Sequence, residues 1–379
     1  MSTGAIQVDT VLLKVASRCN IDCSYCYVYH MGDSGWRDMP AVMSDATIDA
    51  VSVALGHLRD DQVRPYAVVL HGGEPLMLGQ RRLEHLLRKL RGALPRDRFP
   101  LSMQTNGVLI TKEILDVCSE FSTSLSVSLD GTKPVNDRFR IGKRGEGTHD
   151  DVVRGIRLMR DHPDSRALFS GILTVINPLS SPSETYRYLK GLGAPSIDFL
   201  YRDGNHTAMP FGKASFHSTE YAAWLVEVLD AYLADPDPPR IRFLDDLIKL
   251  CLGGRGVKEG SGQEDFGIAI IDTDGTVTKN DTLKSTFSGA DRFSERWSVH
   301  THRLGDLFAS HEFRVYFEMQ RPSARECREC PDLAVCGGGM PLHRWREGGG
   351  LDNPSVYCAD QRHLIAAIRQ RLHRAGLLA

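Results

Sequence analysis

Cysteine carries the most chemistry in this sequence. Three of the nine cysteines, Cys19, Cys23 and Cys26, fall within the octapeptide CNIDCSYC, which also holds Tyr25. Four chemistries compete for this group: a disulfide, a zinc knuckle, a redox pair and an iron–sulfur cluster. Three thiolates at this spacing hold three irons of a cubane and leave the fourth iron without a protein ligand. A closed zinc site takes a fourth Cys or His, a place open to His30. A second group, Cys327, Cys330, Cys336 and Cys358, supplies four thiolates, which suit zinc as well as a fully ligated cluster. Cys118 and Cys251 stand alone on apolar helical patterns and read as small core residues.

The odd, clustered cysteine count suggests metal sites in a reducing compartment more than disulfides. The start MSTGAIQVDT lacks a secretion signal, and no apolar run approaches the roughly 20 residues that span a bilayer. The expected location is the cytoplasm, with no membrane partner. A net charge of -2 argues against a general phosphate-binding surface and hence against nucleic acid. At 379 residues, 41% hydrophobic and 25% charged, the chain suggests one large globular domain and a smaller one.

The elements that must position these residues are legible as alternating apolar runs and amphipathic stretches, the pattern of βα units around a parallel sheet. Strands are expected at 11–17, 66–72, 101–107, 124–130, 169–177 and 196–202, six in all and two short of an eightfold barrel. Helical patterns such as EHLLRKLRGAL, KEILDVCSEF and DDVVRGIRLMRD lie between them. At the strands' carboxyl ends stand the Cys loop, HGGEP, QTNG and SLDG, on the edge where α/β folds bind ligands. A helix at 219–235 ends in PDPPR, a boundary signal. Beyond a second helix, FLDDLIKLCLGG, Asp274-Gly275 marks a hairpin, and ADQRHLIAAIRQRLHRAGLL closes the chain as a helix.

Taken in order, these motifs resemble the radical S-adenosylmethionine (SAM) enzymes, whose hallmark is CxxxCxΦC with an aromatic where Tyr25 stands. The resemblance implies a partial (β/α)6 radical SAM barrel. Its open iron would be chelated by the methionine part of SAM, whose reductive cleavage yields a 5′-deoxyadenosyl radical. By the same resemblance Gly72, Gly73 and Glu74 of GGEP receive the methionine ammonium. Gln104 and Asn106 of QTNG, Ser128 of SLDG and Arg140 of NDRFR join Tyr25 as cofactor contacts.

The second cysteine group resembles a C-terminal SPASM domain, which in peptide and sulfatase maturases binds auxiliary clusters. The full pattern has seven cysteines; here Met340 takes one cysteine place, and the hairpin GIAIIDTDGTVTKND carries none. What remains implies one auxiliary cluster at Cys327, Cys330, Cys336 and Cys358, and so two [4Fe-4S] clusters in total. Asp281 stands where sulfatase-maturing relatives place a catalytic Asp, with Asn280 in the neighbouring ligand position; a carboxylate there would take a proton. The bland reading is a hairpin-end carboxylate in water. The division implied is 1–236 for the barrel, 237–262 for a helical bridge and 263–379 for the SPASM-like domain.

The combined motifs look most like enzymes that mature ribosomally made peptides, and most of all like the cyclophane-forming type, which joins an aromatic ring to an unactivated β-carbon with loss of two hydrogens. Alternatives within the pattern are thioether formation, epimerisation with Cys118 or Cys251 as hydrogen donor, and radical oxidation of a small molecule such as an aminocyclitol. A zinc-binding adaptor without turnover is the reading from another class. Expected partners are a precursor peptide and a flavodoxin or ferredoxin as electron donor. Only about ten residues precede the first strand, so a leader peptide is expected to use another surface or a separate leader-binding protein.

Overall fold

The computed structural model describes residues 6–378. Among the described residues nine strands run β1 Thr10–Ala16, β2 Ala67–Gly72, β3 Leu101–Thr105, β4 Thr123–Ser128, β5 Phe169–Val175, β6 Ser196–Leu200, β7 Arg240–Ile241, β8 Ile268–Ile271 and β9 Val277–Thr278. The six expected strands are all present, each within a residue or two of its expected start. The chain forms two compact units: one comprises residues up to Leu129, Asn136–Gly171 and Phe266–Phe317, the other Asp130–Val135, Ile172–Asp265 and Glu318 onward.

In the first unit the strand order is β4-β3-β2-β1-β8-β9, with the start of β5 beside β4, where Ser126 Oγ donates to the Gly171 carbonyl. All pairs from β4 to β8 are parallel, and only β8 and β9 run antiparallel. The β8–β9 hairpin turns at Gly275, whose φ of 83° suits glycine. It joins the sheet through β1, in register from Thr10 opposite Ile268 to Leu13 opposite Ile271. The consecutive division at 262/263 thus cuts across this unit, because β8 finds its hydrogen-bonding partner in the first strand of the chain.

Helices follow the strands as βα connections require. Gln80–Ala93 buries Leu83, Leu86, Leu87 and Leu90, a stripe at helical period, and Lys112–Glu120 starts where the Thr111 hydroxyl accepts from Ile114 N. Cys118 on that helix is fully buried, as expected of a core residue. In the second unit the rest of β5 pairs parallel with β6 and β6 with β7, and the closing helix Cys358–Arg374 packs on Glu220–Ala234 and Arg242–Cys251. The sequence reading did not single out helices Asp45–Asp61 and Pro182–Gly191. The α/β class and its parallel strands are as expected, and this open sheet is compatible with a partial barrel. Among the described residues no helix is long and apolar enough to cross a membrane.

Candidate active site and second cysteine group

The loop after β1 is held by the segment around Arg140. Asp22 N donates to the Ile141 carbonyl at 2.7 Å and Ser24 N to the Phe139 carbonyl at 2.9 Å, while Ile21 bridges Gly142. This register brings Arg140 to the loop's aromatic residue: Nη1 donates to Tyr25 Oη at 3.0 Å. Cys26 ends the loop by opening the helix Tyr27–His30, its carbonyl accepting from His30 N at 2.9 Å. His30, the sequence candidate for a fourth zinc ligand, pairs with Asp22 at 3.0 Å.

The three thiols are free of disulfides. Burial pushes Cys19 up to about 12, with the charge of Glu74 and the other two thiols adding to it, and pushes Cys26 up to about 11. Such a pocket holds thiolates only when positive charge sits among them, so the donor chemistry fits a bound metal group. Among the described residues no three His, Cys, Asp or Glu side chains stand within reach of one common ion.

Gly72 and Gly73 run directly against the start of the Cys loop. Gly73 N donates to the Ala16 carbonyl at 2.8 Å and Glu74 N to the Arg18 carbonyl at 3.0 Å. Gly72 has a φ of 143°, and a Cβ there would strike the Ala16 carbonyl; one on Gly73 would strike the Tyr29 hydroxyl and the Arg18 carbonyl. The glycine pair is therefore required by close backbone approach. Glu74 is fully buried, and its oxygens accept from Leu76 N at 3.0 Å, Thr105 Oγ1 at 2.7 Å and Asn106 N at 2.7 Å. Burial raises its pKa, and these three donors oppose the rise. In this structure Glu74 clasps the end of β3 to the glycine turn.

That clasp sets Asn106, whose Nδ2 donates to Asn20 Oδ1 at 2.8 Å and approaches Cys19 Sγ at 3.6 Å. Gln104, on β3, donates from Nε2 to the Ser128 hydroxyl at the end of β4, at 2.9 Å. Every residue expected to contact the cofactor lies in the first unit, and each touches either the Cys loop or another member of the set.

Asp281 is almost wholly buried, which excludes the bland reading of a carboxylate in water. It accepts from Lys14 Nζ at 2.6 Å; Lys14 also faces Asp272 at 3.7 Å, and Lys284 pairs with Asp291 at 2.8 Å and Asp33 at 3.6 Å. Burial pushes Asp281 up, but Lys14 and Lys284 outweigh it and hold the carboxyl below its usual range. Asn280, next to it in sequence, caps the 3-10 turn Asp281–Ser285 by accepting from Thr282 N at 3.0 Å. A small cavity lined by Lys14, Gly72, Gly73, Trp36, Asp272 and Lys284 adjoins this cluster. The sequence analysis missed Lys14, Asp272 and Lys284. A lysine inside the apolar run VLLKVAS was the available signal, since a buried lysine needs a carboxylate.

The second unit gathers Cys327, Cys330, Cys336 and Cys358, together with Cys251. Burial pushes Cys327 up to about 11 and Cys336 up to about 12; Cys358 and Cys330 act on each of them, and Cys358 is raised too. Cys336 Sγ also lies 2.8 Å from Gln361 Oε1. Gly337, Gly338 and Gly339 all have positive φ; a Cβ on the first would strike the Gly262 carbonyl and one on the second the Pro322 ring. Cys251 is half-buried on its helix, near Asp332 and Arg369. Two groups outside the expected set also stand out here. Asp203, just past β6, is pushed up to about 7 by burial, and the Tyr201 and Tyr357 rings stack at 4.3 Å.

The comparisons with known proteins agree with this geometry. Residues 13–187 match the model of the Radical SAM superfamily. A cysteine-type anaerobic sulfatase-maturating enzyme of Clostridium perfringens (strain 13 / Type A) is 23% identical over 379 residues, which cover 96% of this chain and 97% of that one. The solved structure of native anSMEcpe with bound AdoMet and Cp18Cys peptide aligns with a TM-score of 0.79 at 19% identity, over 97% of this chain and 98% of that one. Streptococcus suis SuiB bound to precursor peptide SuiA aligns at 0.61 and 13% identity, over 89% of this chain and 73% of that one. Both structures share the fold, and the segment that matches the Radical SAM superfamily, residues 13–187, is the one that carries the Cys19, Cys23 and Cys26 loop.

Proposed function

We propose that this protein oxidises a side chain of a ribosomally made precursor peptide with loss of two hydrogens, and that the product is a cyclophane-type cross-link between an aromatic ring and an unactivated β-carbon. When bound, a [4Fe-4S] cluster and SAM would supply the hydrogen-abstracting radical. Cys19, Cys23 and Cys26 hold that cluster. Tyr25, Gly72, Gly73, Gln104, Asn106, Ser128 and Arg140 surround and orient SAM, and Glu74 fixes the wall they stand on. Asp281 receives the proton released when the new bond forms. The observation that carries the reading is that this carboxylate is buried and ionised beside Lys14, in the same compact unit as the Cys loop and the glycine turn. Relatives of like fold that bind peptides support a peptide substrate.

In the same reading Cys327, Cys330, Cys336 and Cys358 would hold an auxiliary [4Fe-4S] cluster, which when bound would supply an acceptor for the surplus electron. A flavodoxin or ferredoxin reduces the enzyme. A second reading, maturation of a sulfatase, is favoured by the relative of that name, which this chain matches along nearly its full length. Tandem mass spectrometry separates the two after anaerobic turnover, in deuterated buffer, of a short peptide encoded beside this gene. Loss of two hydrogens mapped to an aromatic residue supports the cross-link. The same loss confined to one serine, or to one cysteine whose thioaldehyde then exchanges sulfur for oxygen in water, supports the sulfatase-type oxidation; a bond to cysteine sulfur means a thioether, and gain of one deuterium means epimerisation.

A further inference from the structure

We propose that Arg344 donates a hydrogen bond from Nε to a sulfur of the auxiliary cluster and thereby raises that cluster's reduction potential; the proposal rests on reading Cys327, Cys330, Cys336 and Cys358 as cluster ligands. Arg344 is 1% exposed and heads the fully buried side chains by size. One arm of its guanidinium is satisfied, since Nη2 donates to the carbonyls of Met319 at 2.7 Å and Gln320 at 2.9 Å. Nε is buried and has no acceptor among the described residues. A cationic donor left unpaired in the interior is costly, so this position calls for an acceptor that the chain does not itself supply.

The surroundings say which acceptor. The charges that act on the guanidinium are those of Cys327 and Cys336. The three left-handed glycines after Cys336 lead directly into the short helix Pro341–Arg344, which keeps the arginine close behind that ligand. Its neighbour His343 is also buried, with Nε2 unpartnered and its ring edge-on to Tyr357 at 5.0 Å; burial holds the imidazole neutral. Arg344 thus brings the positive charge of this pair. Reduction adds negative charge to an iron–sulfur cluster, and a cation with an N–H aimed at sulfur stabilises the reduced form more than the oxidised one. An electron acceptor gains from that bias.

The test uses the full chain with Cys19→Ala, Cys23→Ala and Cys26→Ala, reconstituted anaerobically with iron and sulfide so that only the auxiliary site fills, to about four irons per chain. In a potentiometric titration followed by electron paramagnetic resonance, Arg344→Gln shifts the midpoint to lower potential. Arg344→Lys falls between, because it keeps the charge and loses the planar Nε–H. An unchanged midpoint in Arg344→Gln overturns the role of Arg344 and leaves the cluster reading standing; a triple variant that takes up no iron overturns the cluster reading itself. Should the Arg344 variants fail to fold, the same triple variant with Arg344 intact is labelled with 15N-arginine. Nitrogen hyperfine coupling to the reduced cluster is the expected result, and its absence overturns the hydrogen bond.

Discussion

Lys14 Nζ lies 2.6 Å from Asp281 Oδ1, and both side chains are almost wholly buried although 267 residues separate them in sequence. The contact fastens the 3-10 turn after the β8–β9 hairpin to the middle of β1. Removing one partner leaves an interior charge that Asp272, for Lys14, or Lys284, for Asp281, only partly offsets, so Lys14→Met or Asp281→Asn alone is expected to cost up to about 3–5 kcal/mol in denaturant unfolding, and the double variant less than the sum of the two. A cycle that is additive would show that the pair contributes no coupling.

The same pair sets a pH window. Asp281 is depressed and Lys14 raised. The carboxylate's contribution is therefore present above its unfolded pKa of about 3.9 and lost as pH falls through its folded value. The lysine's is complete below about 10.4 and lost as pH rises through its folded value. Stability owed to the pair should be flat from about pH 5 to pH 9. A double-mutant coupling energy that varies across that range would contradict the assignment.

Asp203 should behave in the opposite sense. Burial raises it to about 7 against the opposing charge of Arg202, so the folded state holds its proton more tightly than the unfolded chain does. Stability is expected to fall as pH rises from about 4 to about 7. Asp203→Asn should remove that dependence and gain about 1 kcal/mol at pH 8, measured by urea unfolding at pH 5 and pH 8.

Tyr25→Phe removes one hydroxyl and with it the hydrogen bond that Arg140 Nη1 donates at 3.0 Å. A hydrogen bond to a charged group is worth about 1.5–3 kcal/mol, so a site in which this contact orients Arg140 should bind SAM roughly tenfold more weakly or worse by equilibrium dialysis, with iron content unchanged. Loss of iron together with SAM would mean that the tyrosine holds the loop instead.

Gly73→Ala drives a methyl group into the Arg18 carbonyl and the Tyr29 hydroxyl. Overpacking of this kind costs about 1–3 kcal/mol or more, and because it moves the Cys loop it should lower reconstituted iron as well as SAM binding. Gly92→Ala, with open space around its Cβ, is the control expected to leave both unchanged.

How much of this was legible in the sequence follows from which forces are local. The six strands were readable because apolar runs and turn residues are local signals, and GGEP, QTNG and SLDG each stand at their own strand's end. The pairing of β8 with β1 was not, since nothing local in FGIAII names its partner. Asp281 was identified from its place after the hairpin, but its charge state depends on Lys14, a residue that looked like part of an ordinary apolar strand. Glu74 was read as a cofactor carboxylate, and only the fold revealed its three protein donors. Asp203 escaped attention because burial, which gives it its character, has no sequence signature in a loop.

The most direct measurement follows hydrogen from the substrate. The precursor peptide, deuterated at its side-chain β-carbons, is incubated anaerobically with the reconstituted protein, SAM and reductant, and the 5′-deoxyadenosine formed is weighed by mass spectrometry. One deuterium gained, in step with loss of one deuterium and one hydrogen from the peptide, is the predicted result. Modified peptide accompanied by unlabelled 5′-deoxyadenosine would contradict β-hydrogen abstraction, and SAM cleavage that leaves the peptide unchanged would contradict a peptide substrate.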